Sequence, residues 1–163
     1  MDGARLHLHT LAGLRHIHHQ APGFSYEIIA DTLLRITGDR REIRELARRA
    51  AFNILAGNWD DHAKIFSLLM DSTGQWSQSP AYDITPSPGP GRQGIHVASL
   101  NESATPTKPD FLSFAKRAQL DDADEIFEKA SDVVRRWPDF AKQAGLRDAN
   151  IKKIACFHNS NGC

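Results

Sequence analysis

The sequence predicts a mostly α-helical domain with one β-hairpin set between helices. Three observations predict it. A long apolar stripe at helical spacing runs between Asp39 and Gly57, further stripes follow from Pro109 onward, and a single short apolar run, Phe66 to Met70, precedes turn chemistry.

The elements follow in order. Between Arg5 and His19, Leu11, Leu14 and Ile17 are spaced by three, so a helix is possible there, weakened by Gly13. Ala21-Pro22-Gly23 is a turn. Ser25 is a candidate N-cap, with Phe24 placed to staple onto Ile28 or Ile29, and the helix it opens runs through Leu33 and Ile36 to Gly38. Asp39 caps the next helix, and Glu42 three residues on completes a capping box. Ile43, Leu46, Ala47, Ala50, Ile54 and Leu55 form its core stripe, and Arg40, Arg41, Arg44, Arg48 and Arg49 mostly take a solvated face. Asp71-Ser72-Thr73-Gly74 then turns the chain toward Trp76, giving a hairpin at about residues 66–78. Pro86, Pro88 and Pro90, with Gly89, Gly91 and Gly94, make an irregular loop. Beyond Pro109, one stripe holds Phe111, Leu112, Ala115 and Ala118. Another holds Ile126, Ala130, Val133, Val134 and Trp137, with Asp121 as a possible cap. Short helices over Pro138 to Ala144 and from Asp148 through Ile154 complete the chain.

Composition narrows the function. The 163 residues fit one domain. Twenty Lys and Arg balance twenty Asp and Glu, which argues against a dedicated nucleic-acid binder, since phosphate contacts require a basic excess. No apolar run approaches a membrane span, and no secretion signal opens the chain. Cys156 and Cys163 make neither a disulfide framework nor a zinc site. The expectation is a cytoplasmic protein with reduced thiols. His7, His9, His16, His18 and His19 cluster near the start, but without a companion Cys or acid at ligand spacing they read as polar residues on a helix face rather than a metal site.

The chemistry sits in Asn58-Trp59-Asp60-Asp61-His62-Ala63-Lys64 and in Ser79-Pro80-Ala81-Tyr82-Asp83-Ile84-Thr85-Pro86, on either side of the hairpin. A hairpin returns the chain to its start, so Asp60 and Asp83 can meet at one cleft. Phosphoryl transfer uses such a pair: one carboxylate accepts the proton of the attacking hydroxyl, another holds Mg²⁺ on the nucleotide phosphates, and a lysine offsets charge. The residues alone favour the simpler reading, solvated loop acids at Asp60 and Asp61 and a turn cap at Asp83.

The stretch from Phe52-Asn53-Ile54-Leu55 through Asp60-Asp61-His62-Ala63-Lys64-Ile65-Phe66-Ser67, followed by Ser79 to Pro86, resembles the signature of HipA-type kinases. In that family a helix enters an Asp-x-His-x-Lys-Asn-Phe-Ser loop, then a hairpin, then Pro-x-Tyr-Asp. The resemblance is closest from Phe52 to Pro86 and extends more loosely from Arg5 to about Leu146. It implies a helical domain like a kinase C-terminal lobe, from a serine/threonine protein kinase that is the toxin of a toxin–antitoxin pair. It implies Asp60 as catalytic base, Lys64 as the phosphate-facing lysine, Asp83 as the metal-binding acid and His62 as a structural loop residue. Intact relatives would use ATP and Mg²⁺, and partners would be a protein substrate and an antitoxin.

Two departures qualify this. Where the family places a metal-binding asparagine, this chain has Ile65, and an aliphatic side chain has no oxygen to offer Mg²⁺. The family's nucleotide-binding lobe lies upstream, and no Gly-rich phosphate loop with a following lysine occurs before Asp60. Residues 1–163 are therefore expected to be a single C-terminal domain without its ATP-binding lobe, impaired or inactive alone and binding neither ATP nor Mg²⁺. The alternative is a non-catalytic module that contacts an antitoxin or a separately encoded kinase lobe.

Overall fold

A computed structural model describes residues 5–18, 23–87 and 95–158. The described residues form β1 (His7–Thr10), α1 (Leu11–Leu14), α2 (Tyr26–Thr37), α3 (Arg40–Ala56), β2 (Ser67–Met70), β3 (Trp76–Gln78), α4 (Lys108–Arg117), α5 (Ala123–Arg135), α6 (Trp137–Gln143) and α7 (Asp148–His158). The mainly helical class holds.

α3 organises the rest. Ser25 caps α2 by accepting the Ile28 N–H, and Asp39 caps α3 by accepting that of Arg41. Gly38 and Gly57 close the two helices in the left-handed conformation. Leu46, Ala47, Ala50 and Ala51 on α3 are fully buried and face α2 and α5. Phe111 and Phe127 carry the core across α4 and α5, with ring centroids 5.2 Å apart. α7 returns to the end of α3, where Phe157 lies against Trp59, centroids 5.6 Å apart.

The hairpin is present, and a third strand joins it. β1 pairs antiparallel with β2, which pairs antiparallel with β3, in the order β1-β2-β3. The possible helix from Arg5 to His19 is therefore corrected to a strand followed by the single turn α1. The backbone of His7 to Thr10 bonds to β2, and the Leu11 N–H bonds to the Phe66 carbonyl, so pairing outweighs the three-residue spacing of the leucines. His7 and His9 consequently lie on a strand, and His7 packs edge-on against Trp76 at 5.5 Å. No cluster of three or more His, Cys, Asp or Glu among the described residues could hold a metal, and His19 lies outside them.

Other expectations change too. Glu42 does not close a capping box; its side chain accepts the Gln78 N–H at 3.1 Å and so ties α3 to β3. The arginine face of α3 is partly structural: Arg49 is buried, and Arg44 pairs with Asp122. Asp122, rather than Asp121, precedes α5, and the Arg44 guanidinium holds its carboxyl below the usual range. Cys156 is disulfide-bonded, against the expectation of a reduced thiol, and Cys163 lies outside the described residues. The loop prolines and glycines from 88 to 94 also lie outside them. Among the described residues no helix is long and apolar enough to cross a membrane.

Gly57 sets the direction in which the chain leaves α3, and its environment gives a test. An added Cβ at Gly57 would meet Phe157 Cβ at 2.8 Å and the Phe157 carbonyl oxygen at 2.9 Å, whereas at Gly38 nothing lies within 4 Å. Both glycines have positive φ. Gly38→Ala should cost only the backbone penalty, about 1–2 kcal/mol. Gly57→Ala should cost about 1–3 kcal/mol more, from overpacking against α7. Urea denaturation of both variants checks this; equal losses would contradict the placement of α7.

Candidate active site

The site is built on the segment that leaves α3. Asn58 Nδ2 donates to Asn53 Oδ1 at 3.1 Å, and Asn53 Nδ2 donates to Tyr26 Oη at 2.9 Å. Tyr26 Oη donates to Asp61 Oδ2 at 2.9 Å. Asp61 Oδ2 also meets His96 Nδ1 at 2.7 Å, and Asp61 Oδ1 accepts the Ala98 N–H at 3.0 Å. A carboxylate only accepts, so the His96 proton sits on Nδ1. Asp61 has no solvent exposure, and Tyr26, Asn53, Asn58 and His96 are all buried. Burial first, then the nearby Asp61 charge, pushes the Tyr26 phenol well above its ordinary range, so it remains a donor. Asp61 is thus a buried structural acid and not a solvated loop residue.

The second segment is clipped to the first at three levels. The Ser79 N–H donates to the Ser67 carbonyl at 2.9 Å, and buried Arg49 donates from Nη2 to the Ser79 carbonyl at 2.6 Å. Tyr82 Oη donates to the Lys64 carbonyl at 2.5 Å. Because that proton is committed, the Ser67 hydroxyl is the donor in its 2.5 Å contact with Tyr82 Oη. At the far end, the Ser87 N–H donates to the Gly57 carbonyl at 3.0 Å and the Ser87 carbonyl accepts the Trp59 N–H at 3.2 Å. Residues 79, 82 and 87 therefore meet residues 67, 64 and 57–59, in opposite chain order. Asp60 and Asp83 fall within these two adjoining segments.

The residues expected to act differ in setting. Asp60 is half-buried, and its Oδ1 is buried and accepts no hydrogen bond among the described residues. Asp83 is exposed, with φ of 55°, a left-handed conformation that costs an L-residue about 1–2 kcal/mol. Lys64 is exposed and His62 half-buried. Ile65 is 7% exposed and belongs to the hydrophobic core with Ala63, Phe66 and Leu68. An apolar pocket of about 130 Å³ lies beside both segments, lined by Phe52, Asn58, Ile84, Pro86, Val134 and Trp137 among others.

Sequence reasoning missed Tyr26, Arg49 and His96. Only the polar Asn53 inside an apolar stripe could have signalled the buried network. His96 lies 35 residues from Asp61, beyond a loop rich in Pro and Gly, where no local pattern points to it.

A family model described as the HipA-like C-terminal domain matches residues 1–137. This chain belongs to that family. The HipA-like domain is 31% identical over 110 residues to a Sinorhizobium fredii protein named "Putative kinase Y4dM", covering 64% of this chain and 26% of that protein. Among solved structures, it superposes on HipA of Shewanella oneidensis MR-1, from a complex of HipA, HipB and operator DNA. That match has a TM-score of 0.71 at 15% identity and covers 98% of this chain and 44% of HipA; it shows a shared fold. The HipA-like domain thus spans about a quarter of the curated relative and under half of the solved one.

The Tyr82 clip makes a prediction. Tyr82→Phe removes the hydroxyl that joins Asp83's segment to Lys64 and Ser67. Its loss should cost about 1 kcal/mol locally, the typical net worth of one hydrogen bond, or about a fivefold rise in opening. Hydrogen exchange at the Ser79 and Ser87 amides, which bond to the Ser67 and Gly57 carbonyls, should speed up accordingly while the amides of α3 hold. Unchanged exchange at both would show that the hydroxyl does not hold the segment.

Proposed function

We propose that this domain is the C-terminal part of a HipA-like serine/threonine protein kinase, the toxin of a toxin–antitoxin pair, and that its two segments form the phosphoryl-transfer centre. The observation that carries the reading is the bracketing of Asp60 and Asp83 by the Tyr82 and Ser87 bonds. Asp60 is only half-buried, so the residue stays reachable from solvent. In the proposed reaction Asp60 takes the proton of a substrate Ser or Thr hydroxyl. The hydroxyl oxygen bonds to the γ-phosphorus of ATP, the bond from that phosphorus to the β–γ bridging oxygen breaks, and ADP leaves. Exposed Lys64 would offset charge on the transferred group.

Asp83 offers the hard oxygen that Mg²⁺ requires, and Mg²⁺ is commonly held by one or two carboxylates plus waters and phosphates. Bound there, the ion would neutralise phosphate charge. Ile65 does not fit a second ligand: it is aliphatic and packed in the core. The nucleotide-binding lobe of such a kinase would have to act together with this domain, and the 163-residue chain alone is expected to be inactive. Association with an antitoxin, as in the solved complex of the Shewanella relative, belongs to the same proposal. A second reading, favoured by Ile65, is a non-catalytic module that contacts an antitoxin or a separate kinase lobe.

One substitution separates the two. In the domain joined to a nucleotide-binding lobe, Ile65→Asn restores an oxygen at the deficient position. One positioned electrostatic group is typically worth about a hundred- to thousandfold, so phosphoryl transfer should rise by around two orders of magnitude. The buried amide should lower stability by about 1–3 kcal/mol if it stays unpaired. Asp60→Ala in that background should abolish the gain, measured by transfer of labelled phosphate to protein. If neither substitution alters transfer, the binding-module reading replaces the kinase reading.

A further inference from the structure

The loop is fixed on both sides of Asp60. The Trp59 N–H donates to the Ser87 carbonyl, and the Trp59 carbonyl accepts the Val97 N–H at 3.0 Å. On the other side Asp61 accepts from Tyr26, His96 and the Ala98 backbone. Between these two anchored residues, Asp60 is half-buried, and its Oδ1 has no donor among the described residues.

The cost of this arrangement is informative. A buried carboxylate is expensive, and well-packed apolar residues of similar volume often stabilise as much or more. Apolar packing is non-directional, however, and cannot fix one peptide unit in orientation. Directed bonds on both neighbours hold the half-buried Asp60 in place between them. Asparagine at 61 could not reproduce this. Asp61 accepts at both oxygens, so an amide would turn its NH₂ either toward the Ala98 N–H or toward Tyr26 and His96.

We infer that Asp61, Tyr26 and His96 are positioning residues for Asp60, acting through the peptide that joins Asp60 to Asp61. This rests on the reading of Asp60 as the proton acceptor. Tyr26 reaches the loop from α2 and His96 from the segment before α4, so two distant parts of the chain set the position of one carboxylate.

The test separates the inference from the kinase reading. In the isotopically labelled 163-residue chain, the side-chain carboxyl carbon of Asp60 is followed by NMR in wild type, Tyr26→Phe, Asp61→Asn and Phe127→Leu. Phe127 is buried on α5, against Phe111, and serves as a core control. Expected is one sharp Asp60 signal in wild type and in Phe127→Leu, and a shifted, broadened or doubled signal in Tyr26→Phe. Asp61→Asn should show the larger change; if it does not fold, Tyr26→Phe decides alone. An Asp60 signal in folded Tyr26→Phe that matches wild type overturns the inference. In the domain joined to a nucleotide-binding lobe and carrying Ile65→Asn, Tyr26→Phe should lower kcat by roughly ten- to a hundredfold, as misplacement of about 1 Å does, with KM unchanged. A rise in KM at constant kcat would also overturn it. If that protein transfers no phosphate at all, the kinase reading fails, while the NMR result still shows whether the network positions Asp60.

Discussion

A carboxylate with no solvent exposure must find its donors inside the protein, and Asp61 finds them in three places. Tyr26 begins α2, His96 and Ala98 come from the segment ahead of α4, and Asp61 itself follows α3. Removing a partner from a buried charge costs about 3–5 kcal/mol, a large part of the net stability of a domain this size. The fold therefore cannot relax at this point without losing much of its stability. The Asn53 and Asn58 amides extend the requirement back into α3, so the turn at Gly57 and the polar segment after it belong to the same network.

The loop then divides into fixed and free parts. Asn58, Asp61 and Ile65 are buried and hold position, while Lys64 and Asp83 project into solvent and Asp60 lies between. Tyr82 and Ser87 bind the outgoing segment to the incoming one, so the hairpin needs only to return the chain and not to carry chemistry. Arg49 and Glu42 attach the end of that hairpin to α3 at Ser79 and Gln78. One helix thereby supports both segments of the candidate site.

Much of the helical frame was legible because local chemistry decides it. Ser25, Gly38, Asp39 and Gly57 mark the ends of α2 and α3 through caps that any reader of the sequence can locate. The hairpin was legible from its turn. β1 was not, because His7 to Thr10 become a strand only through pairing with β2, some 60 residues on, and Leu6 and Leu8 remain largely exposed. Asp60 and Asp83 are candidates through resemblance, since no local pattern distinguishes them from solvated loop acids. Asp61 was misjudged as a loop acid because its burial depends on Tyr26 and His96, contacts set by tertiary structure alone. Glu42 and Arg49 were misassigned for the same reason: Glu42 bonds Gln78 of β3 instead of its own helix's cap, and Arg49 has a shorter bond to Ser79 than to its helix neighbour Glu45.

The central claim is that Asp61 holds the loop as part of the core and not as a surface turn. The Ala98 amide, which donates to Asp61 Oδ1, reports on this directly. Native-state hydrogen exchange should show Ala98 opening only with global unfolding, at the same free energy as Ala50 in the middle of α3. Exchange at Ala98 by local opening, as easy as that of Thr73 in the exposed hairpin turn, would contradict the account.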